Sequence, residues 1–367
     1  MNNKVTTLID IIAGARPNFV KIAPIIAAME KIDTLSYRLI HTGQHYSEMM
    51  SGNFFKQLNI PTPDINLDIG SGSQAEQVGK IMLGYEVVLL KKKSDLCLVV
   101  GDVNSTMACA ITARKLGVRV AHVEAGIRSR DWTMPEEINR VVTDSISDLF
   151  FTTSETANSN LIMEGVNRER IYFVGNTMID TLLTNLNRLK APSCWDELDL
   201  EPRSYIVLTL HRPGNVDLPE RLSELISNIS VGAGNLPVIF PVHPRTEAQL
   251  RGQKLPDNLK CIAPLGYLEF NFLLKNCVGV ITDSGGITEE ATVLGVPCIS
   301  LRDNTERPET VSIGTNELVG SDREKIIQTI QMLLAGTWKK GGIPPLWDGK
   351  SAQRIAEVLR KMSIEVS

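Results

Sequence analysis

The 367-residue chain contains no C-x-x-C pair, and its six cysteines, Cys97, Cys109, Cys194, Cys261, Cys277 and Cys298, show no metal-ligand spacing. Four lie in apolar runs, where cysteine acts as a small buried hydrophobe, so a reduced cytoplasmic setting is expected. No apolar run approaches the roughly 20 residues that span a membrane. A large excess of one charge is also missing: 38 basic and 42 acidic residues leave a net charge of −4. That gives no bulk electrostatic reason to bind nucleic acid or an anionic membrane. The patterns G-x-x-x-x-G-K-[ST], H-E-x-x-H and G-x-S-x-G are absent, which weighs against phosphate-loop ATPases, zinc proteases and serine hydrolases. There is no short repeat and no low-complexity tract.

What is present is an ordinary globular composition, 43% hydrophobic and 22% charged. The length points to two domains. The N-terminal VTTLIDIIAGA superficially resembles a signal-peptide core, but Asp10 interrupts the apolar run and Arg16 and Pro17 follow at once. A first strand is the better reading. From there a rhythm repeats: a short apolar run, a polar or glycine-bearing break, then a helix-period segment. The runs are VTTLIDII, YRLIHT, DLCLVVGD, VRVAHVEAG, DLFFTT and RIYFVGN, and after a restart YIVLTLH, PVIFPVH, LKCIAPL, VGVITD and VPCISLRD. Between them, NSTMACAITARKLG reads as a helix capped by Asn104, and SDREKIIQTIQMLLAG places Ser321 and Glu324 at capping-box spacing. Strands alternating with helices, twice over, predict an α/β protein of two Rossmann-like, doubly wound parallel-sheet domains. The switch is expected near the proline-bearing residues 189–203, dividing the chain into 1–185 and 186–348. A last helix is expected from about Gly349 to Lys361, within a terminal segment 349–367.

Arg16, His45, Asp102, Glu124, His211, His243, Asp283 and Arg302 all sit at or just past the ends of apolar runs. Ligands of open parallel sheets bind outside the carboxyl ends of the strands, so two such domains are expected to face a common cleft. The strongest local signal is ITDSGGITEEATVLGVP, residues 281–297. Its paired glycines open a helix, where backbone amides suit a phosphate. Either Glu289 and Glu290 merely complement the helix dipole, or the amides of Ser284, Gly285 and Gly286 hold a diphosphate while one carboxylate, a turn further in, faces a ribose diol. Arg16 and Lys21, in GARPNFVKIAP, are solvated cations or a clamp for a departing diphosphate. Asp102 either caps the following helix or faces a ligand, whereas Glu124 has no capping role to explain it. MPEEINR supplies Glu136, alternatively a partner of Arg140 at i, i+4. His211 and His243 end later strands, and SLRDNTERPE is a surface salt-bridge cluster or a sugar-facing rim. GSGSQA, residues 70–75, fits G-x-G-x-x-A, but the proline-broken PTPDINLDI before it argues against a dinucleotide site.

GARPNFVKIAP, TGQHY, GDVNST, HVEAGIRS, MPEEINR, GNTMID, LHRP, PVHPR, TDSGGITEEA, LGVP and RDNTERPE, in that order from about Ile11 to Gly320, resemble the non-hydrolysing UDP-N-acetylglucosamine 2-epimerases. The resemblance implies the two-domain arrangement shared with GT-B glycosyltransferases, a UDP-binding second domain and a last helix packed on the first. It implies a homodimer that interconverts UDP-N-acetylglucosamine and UDP-N-acetylmannosamine through a 2-acetamidoglucal, without metal or other cofactor. Carried over by position, Asp102, Glu124 and Glu136 match the catalytic carboxylates, and His211 and Arg307 complete the pocket. Ser284, Gly285 and Gly286 would hold the diphosphate, Glu290 the ribose, Phe270 and the backbone of Leu265 the uracil, and Arg16 and Lys21 the diphosphate and sugar side. Asn18 departs from the acid common in the family, and Ser73-Gln74 stands where an Arg-Gln pair serves a second UDP-sugar site in bacterial members. GARP, TGQH and LHR are shared with relatives acting on UDP-diacetamido-uronic acids, while TERPE resembles the N-acetylglucosamine branch. The rival readings are an epimerase of such a uronic acid and a GT-B glycosyltransferase.

Overall fold

The computed structural model describes residues 6–43, 55–242 and 244–365. His45 and His243 lie outside them. The chain forms two compact units, Met1–Thr184 with Pro345–Ser367, and Asn185–Pro344.

The first unit is built on a parallel sheet of β1 (Thr7–Ala13), β2 (Leu35–His41), β3 (Ile65–Asn66), β4 (Leu96–Val100), β5 (Arg119–Val123), β6 (Leu149–Thr152) and β7 (Ile171–Phe173). Their spatial order is β3-β2-β1-β4-β5-β6-β7. Helices cover the sheet, so central strands are apolar on both faces, and every residue of β4 is buried. Because β2 and β4 flank β1, the winding reverses between β1 and β4, and the loops leaving these two strands diverge. Ile12, Ile40, Tyr85, Val99, Cys109 and Val120 belong to one apolar layer of this unit. The final helix, Ser351–Glu365, packs on the Arg16–Met29 helix and on β2. Asp180 fixes its start by accepting from the backbone N–H groups of Ser351 and Ala352 at 3.1 and 2.7 Å. Buried Trp347 donates Nε1–H to the Thr153 carbonyl at 3.0 Å.

The second unit repeats the plan with β8 (Ile206–Thr209), β9 (Val238–Pro241), β10 (Leu259–Ile262), β11 (Gly279–Thr282), β12 (Cys298–Ser300) and β13 (Asn316–Leu318). The order β10-β9-β8-β11-β12-β13 is again all parallel, with its reversal between β8 and β11. One face buries Leu208, Leu225, Phe240 and Ile330. The other buries Tyr205, Ile239, Leu274 and Ala291. Two parallel α/β sheets are the expected fold class.

Two local expectations fail. Asn104 is the first residue of the Asn104–Lys115 helix rather than its cap. Its amide instead donates to Gln74 and Gln77 at 2.7 and 3.0 Å. The Arg323–Leu334 helix is capped by Asp322, whose carboxylate accepts from Lys325 N–H at 2.9 Å, not by Ser321. Among the described residues no helix is long and apolar enough to cross a membrane, and no three His, Cys, Asp or Glu side chains are grouped to hold a metal ion.

Candidate functional site

At the reversal point of the first unit the chain places charged groups where its strands end. Lys21, on the helix that follows β1, reaches Glu124, just past β5, at 2.6 Å, and both are buried. Glu124 adopts φ +69°, a left-handed conformation that costs a residue with a Cβ of order 1–3 kcal/mol. Gly101, at φ +70°, lies beneath the pair: a Cβ there would stand 3.2 Å from Lys21 Nζ. Asn18, where an acid is common in the resembled family, accepts from Gly14 and Ala15 N–H at 3.1 and 3.0 Å. It also donates Nδ2–H to the Val100 carbonyl at 2.9 Å. An ionised acid could accept the first two bonds but not donate the third, so the amide ties the loop after β1 to the end of β4. Arg16 opens the same helix.

The Pro135–Ile146 helix supports these loops with a face of buried polar residues, Glu137, Asn139, Arg140, Thr143 and Asp144. Arg140 pairs with Asp102 and, at 3.0 Å, with Glu137. Asn139 Nδ2–H donates to the Asp102 carbonyl at 2.8 Å. Asp102 therefore does not cap the next helix: Val103 is the N-cap residue there, and no side chain caps it. Arg140 takes Glu137 at i−3, not Glu136 at i−4 as the spacing had suggested, and Glu136 stays exposed on the first turn. Burial alone would raise the Glu137 carboxyl. The N–H groups of Ser129 and Arg130 and the Arg140 guanidinium outweigh it and hold that carboxyl below its ordinary value.

At the reversal point of the second unit the groups are held differently. Asp283, fully buried after β11, lies 2.7 Å from Nδ1 of exposed His211, which follows β8. It also accepts from the backbone N–H of Arg212 and from Asn215 Nδ2, each at 3.0 Å. Burial favours the neutral acid, but His211, Asn215 and the Arg212 N–H keep the carboxyl below its ordinary value. The Gly285–Leu294 helix then begins with Ser284 as N-cap, its hydroxyl making no capping bond. The Ser284 amide is not open to a ligand, since it donates to Thr282 Oγ1 at 3.0 Å. The leading amides of a helix have no partner within it, so those of Gly285 and Gly286 have the chemistry to receive an anion.

Glu289 and Glu290 do not serve the helix dipole, because neither lies in the first turn and both are buried. Glu289 pairs with Arg307. Glu290 accepts from the Tyr267 hydroxyl at 2.8 Å and from Asn271 Nδ2 at 3.4 Å. Burial raises its carboxyl to about 7, against the opposing pull of those two bonds. Phe270 and Leu265, half-buried, pack against the apolar layer beside this helix. Arg302, buried, and Glu306, half-buried, lie 2.5 Å apart and are not a surface pair.

The structure thus gathers Lys21, Asp102 and Glu124 at one set of strand ends, and His211, Ser284, Gly285, Gly286, Glu290 and Arg307 at another. Sequence reasoning missed His122, Asp144, Tyr267 and Asn271 behind them, and gave Arg140 the partner Glu136 in place of Asp102 and Glu137. One signal was available. Glu137, Arg140 and Asp144 recur at i, i+3 and i+7, the spacing of a helix's buried face.

A family model described as UDP-N-acetylglucosamine 2-epimerase matches residues 27–360. The UDP-N-acetylglucosamine 2-epimerase of Methanocaldococcus jannaschii is 46% identical over 365 residues, covering 96% of this chain and 98% of that protein. The UDP-2,3-diacetamido-2,3-dideoxy-D-glucuronate 2-epimerase of Pseudomonas aeruginosa is 41% identical over 354 residues, covering 96% and 99%. A crystal structure of the M. jannaschii epimerase in complex with UDP-GlcNAc and UDP superposes with a TM-score of 0.89 at 45% identity, covering 97% of this chain and 100% of that one. The chain belongs to the UDP-N-acetylglucosamine 2-epimerase family.

Proposed function

We propose that this protein interconverts UDP-N-acetylglucosamine and UDP-N-acetylmannosamine, and that its strand-end residues divide the work as follows. Removing the C2 proton of an N-acetyl sugar directly is difficult, because that proton is weakly acidic. Departure of UDP from C1 builds positive character beside C2 and eases its removal. The C1–O bond breaks, the C2–H bond breaks, and a 2-acetamidoglucal and UDP remain bound. Proton return to the opposite face, with UDP re-adding at C1, gives the epimer. Acid–base groups are needed on both faces of the ring. Asp102, Glu124 and Glu136 are the carboxylates assigned to that task.

The second unit holds the nucleotide. The Gly285 and Gly286 amides and the Ser284 hydroxyl take the diphosphate, with His211 and Arg307 beside it. Glu290 accepts the ribose hydroxyls, Phe270 stacks on uracil and the Leu265 backbone reads its edge. Arg16 and Lys21 neutralise the leaving diphosphate. The protein works as a homodimer. Leu83, Val87 and Leu90, exposed at i, i+4 and i+7 on the Gln74–Lys91 helix, support self-association.

The observation that carries this reading is that one unit ends its strands in cation-held carboxylates and the other in a glycine-led helix start with a buried glutamate. Incubation with the UDP-sugar alone in deuterated water tests it. Epimer carrying deuterium at C2, with the UDP linkage intact and no acceptor present, is expected. Lack of exchange would favour a glycosyltransferase, and release of free N-acetylmannosamine a hydrolysing enzyme. Running the same assay on the diacetamido-uronic acid nucleotide separates the two epimerase substrates.

A further inference from the structure

His122 lies inside β5 with no exposed surface, and both of its ring nitrogens face polar partners. Nε2 is 2.8 Å from the Gly101 carbonyl, which can only accept, so Nε2 carries a hydrogen. Nδ1 is 2.6 Å from Asp144 Oδ1 on the Pro135–Ile146 helix. The other oxygen of Asp144 accepts from the backbone N–H of Gly126 at 3.0 Å and from Arg128 Nη1 at 2.7 Å. Burial opposes ionisation of Asp144, but His122, Arg128 and the Gly126 N–H hold its carboxyl below the ordinary value.

The position of these contacts along the chain is what separates them from ordinary core packing. His122 is two residues before Glu124 and Gly126 is two residues after it. The path from the imidazole to Asp144 and back to Gly126 therefore closes a ring around Glu124. That residue is in the left-handed region, where a backbone persists only when its surroundings over-determine it. The ring supplies part of that constraint, and the Glu124 N–H on the Phe151 carbonyl at 2.9 Å supplies more. The second nitrogen reaches the residue immediately before Asp102. One side chain thus fixes the loops of two carboxylates.

We infer that His122, acting with Asp144, is a positioning residue for the C2 proton transfers, locking the backbone that presents Asp102 and Glu124. This rests on the epimerase reading above. It touches no substrate in that reading, so its loss acts on kcat. Misplaced carboxylates also return the proton slowly, and the bound glucal and UDP then escape before re-addition.

The test compares His122→Leu, His122→Gln and Asp144→Asn with the wild-type protein. It measures kcat, KM, folded fraction by thermal unfolding, and UDP released per epimer formed. A glutamine amide nitrogen stands near the imidazole Nε2 position and can remake the bond to Gly101. His122→Leu should lower kcat about 100-fold, as a misplacement of about 1 Å does, with KM changed less than about threefold. His122→Gln should recover about tenfold of that loss, and UDP release per epimer should rise in His122→Leu and Asp144→Asn. A folded variant set with wild-type kcat and wild-type UDP release overturns the inference. So does activity per folded molecule that stays at the wild-type level while only stability falls. Should His122→Leu not fold, His122→Gln and Asp144→Asn decide by the same two readouts. Absence of epimerisation by the wild-type protein is a failure of the epimerase reading instead, and is seen first.

Discussion

The two reversal points share a topology and differ in what they do with charge. In the first unit each buried or half-buried carboxylate at a strand end faces a cation: Glu124 has Lys21 and Asp102 has Arg140. In the second, Asp283 faces His211 and Glu289 faces Arg307, but the buried Glu290 is held by a phenol and an amide, and its carboxyl is raised to about 7. A carboxylate paired with a cation is fixed in place, as a group that exchanges protons with one carbon must be. A carboxyl near neutrality, held at one oxygen by neutral donors, is suited to hydroxyl recognition. In the proposed reading, the same strand-end architecture serves proton transfer in one unit and binding in the other.

The largest effect is expected from separating Lys21 from Glu124. Lys21→Met leaves a buried carboxylate in a left-handed backbone without its cation. Breaking such a pair costs about 3–5 kcal/mol, read as a lower denaturation midpoint. Glu124→Gln removes the charge at smaller cost to stability, but lowers kcat about 10²–10⁴-fold, the range for a lost acid–base group. The double variant should regain most of the stability lost in Lys21→Met and none of the activity. If the single Lys21→Met variant were as stable as the wild type, the ion pair would not be what holds Glu124.

In the second unit, the expected effect is on affinity and its pH dependence. In the proposed site ribose hydroxyls donate to Glu290 and so favour its ionised form, while the empty protein holds the proton up to about pH 7. Binding of the UDP-sugar therefore releases a proton below that pH. Affinity should fall by up to about tenfold per unit as pH drops below 7 and level off above it. Titration calorimetry in the Glu124→Gln background, which prevents turnover, reads this directly, and the sugar-linked diphosphate has no terminal phosphate titrating in the same range. Glu290→Gln should bind more weakly at pH 8 and lose the pH dependence. The stability sign is the reverse. A carboxyl raised from its ordinary 4.5 costs the fold increasingly as pH climbs from 4.5 to about 7. Glu290→Gln should thus melt higher than the wild type above pH 7, with the gap closing toward pH 4.5.

How far the sequence revealed this depends on whether a residue's partner is near in the chain. Most strands were legible, because apolar runs such as DLCLVVGD end in a polar residue where the sheet ends. Two were not: β3 and β13 are edge strands of two and three residues, too short to show alternation. Asp102 and Glu124 stood out because a carboxylate after an apolar run is unusual, and Glu290 because it follows paired glycines. Their pairings did not. Arg140 reaches Asp102 across 38 residues, and Tyr267 reaches Glu290 across 23. Such pairings are made by sheet order, which a linear reading does not supply. His122 was hidden for a related reason, since a histidine inside an apolar strand reads as core until the two loops it joins are known.

The smallest effect on the fold should come from Gly285→Ala, and it separates ligand binding from helix formation. Gly285 is not in the left-handed region, and the nearest atom to an added Cβ is Glu306 Oε1 at 3.2 Å. That carboxylate must give way by a few tenths of an ångström while keeping Arg302. Alanine also favours a helix over glycine by up to about 1 kcal/mol, so the two terms oppose each other and stability should change by less than about 1 kcal/mol. A methyl group at the helix start nevertheless stands where a diphosphate must approach the amides. Affinity for UDP should fall about tenfold, the cost of a contact worth about 1.4 kcal/mol. A variant with unaltered stability and unaltered affinity would mean that the paired glycines serve neither purpose, and would move the diphosphate away from this helix.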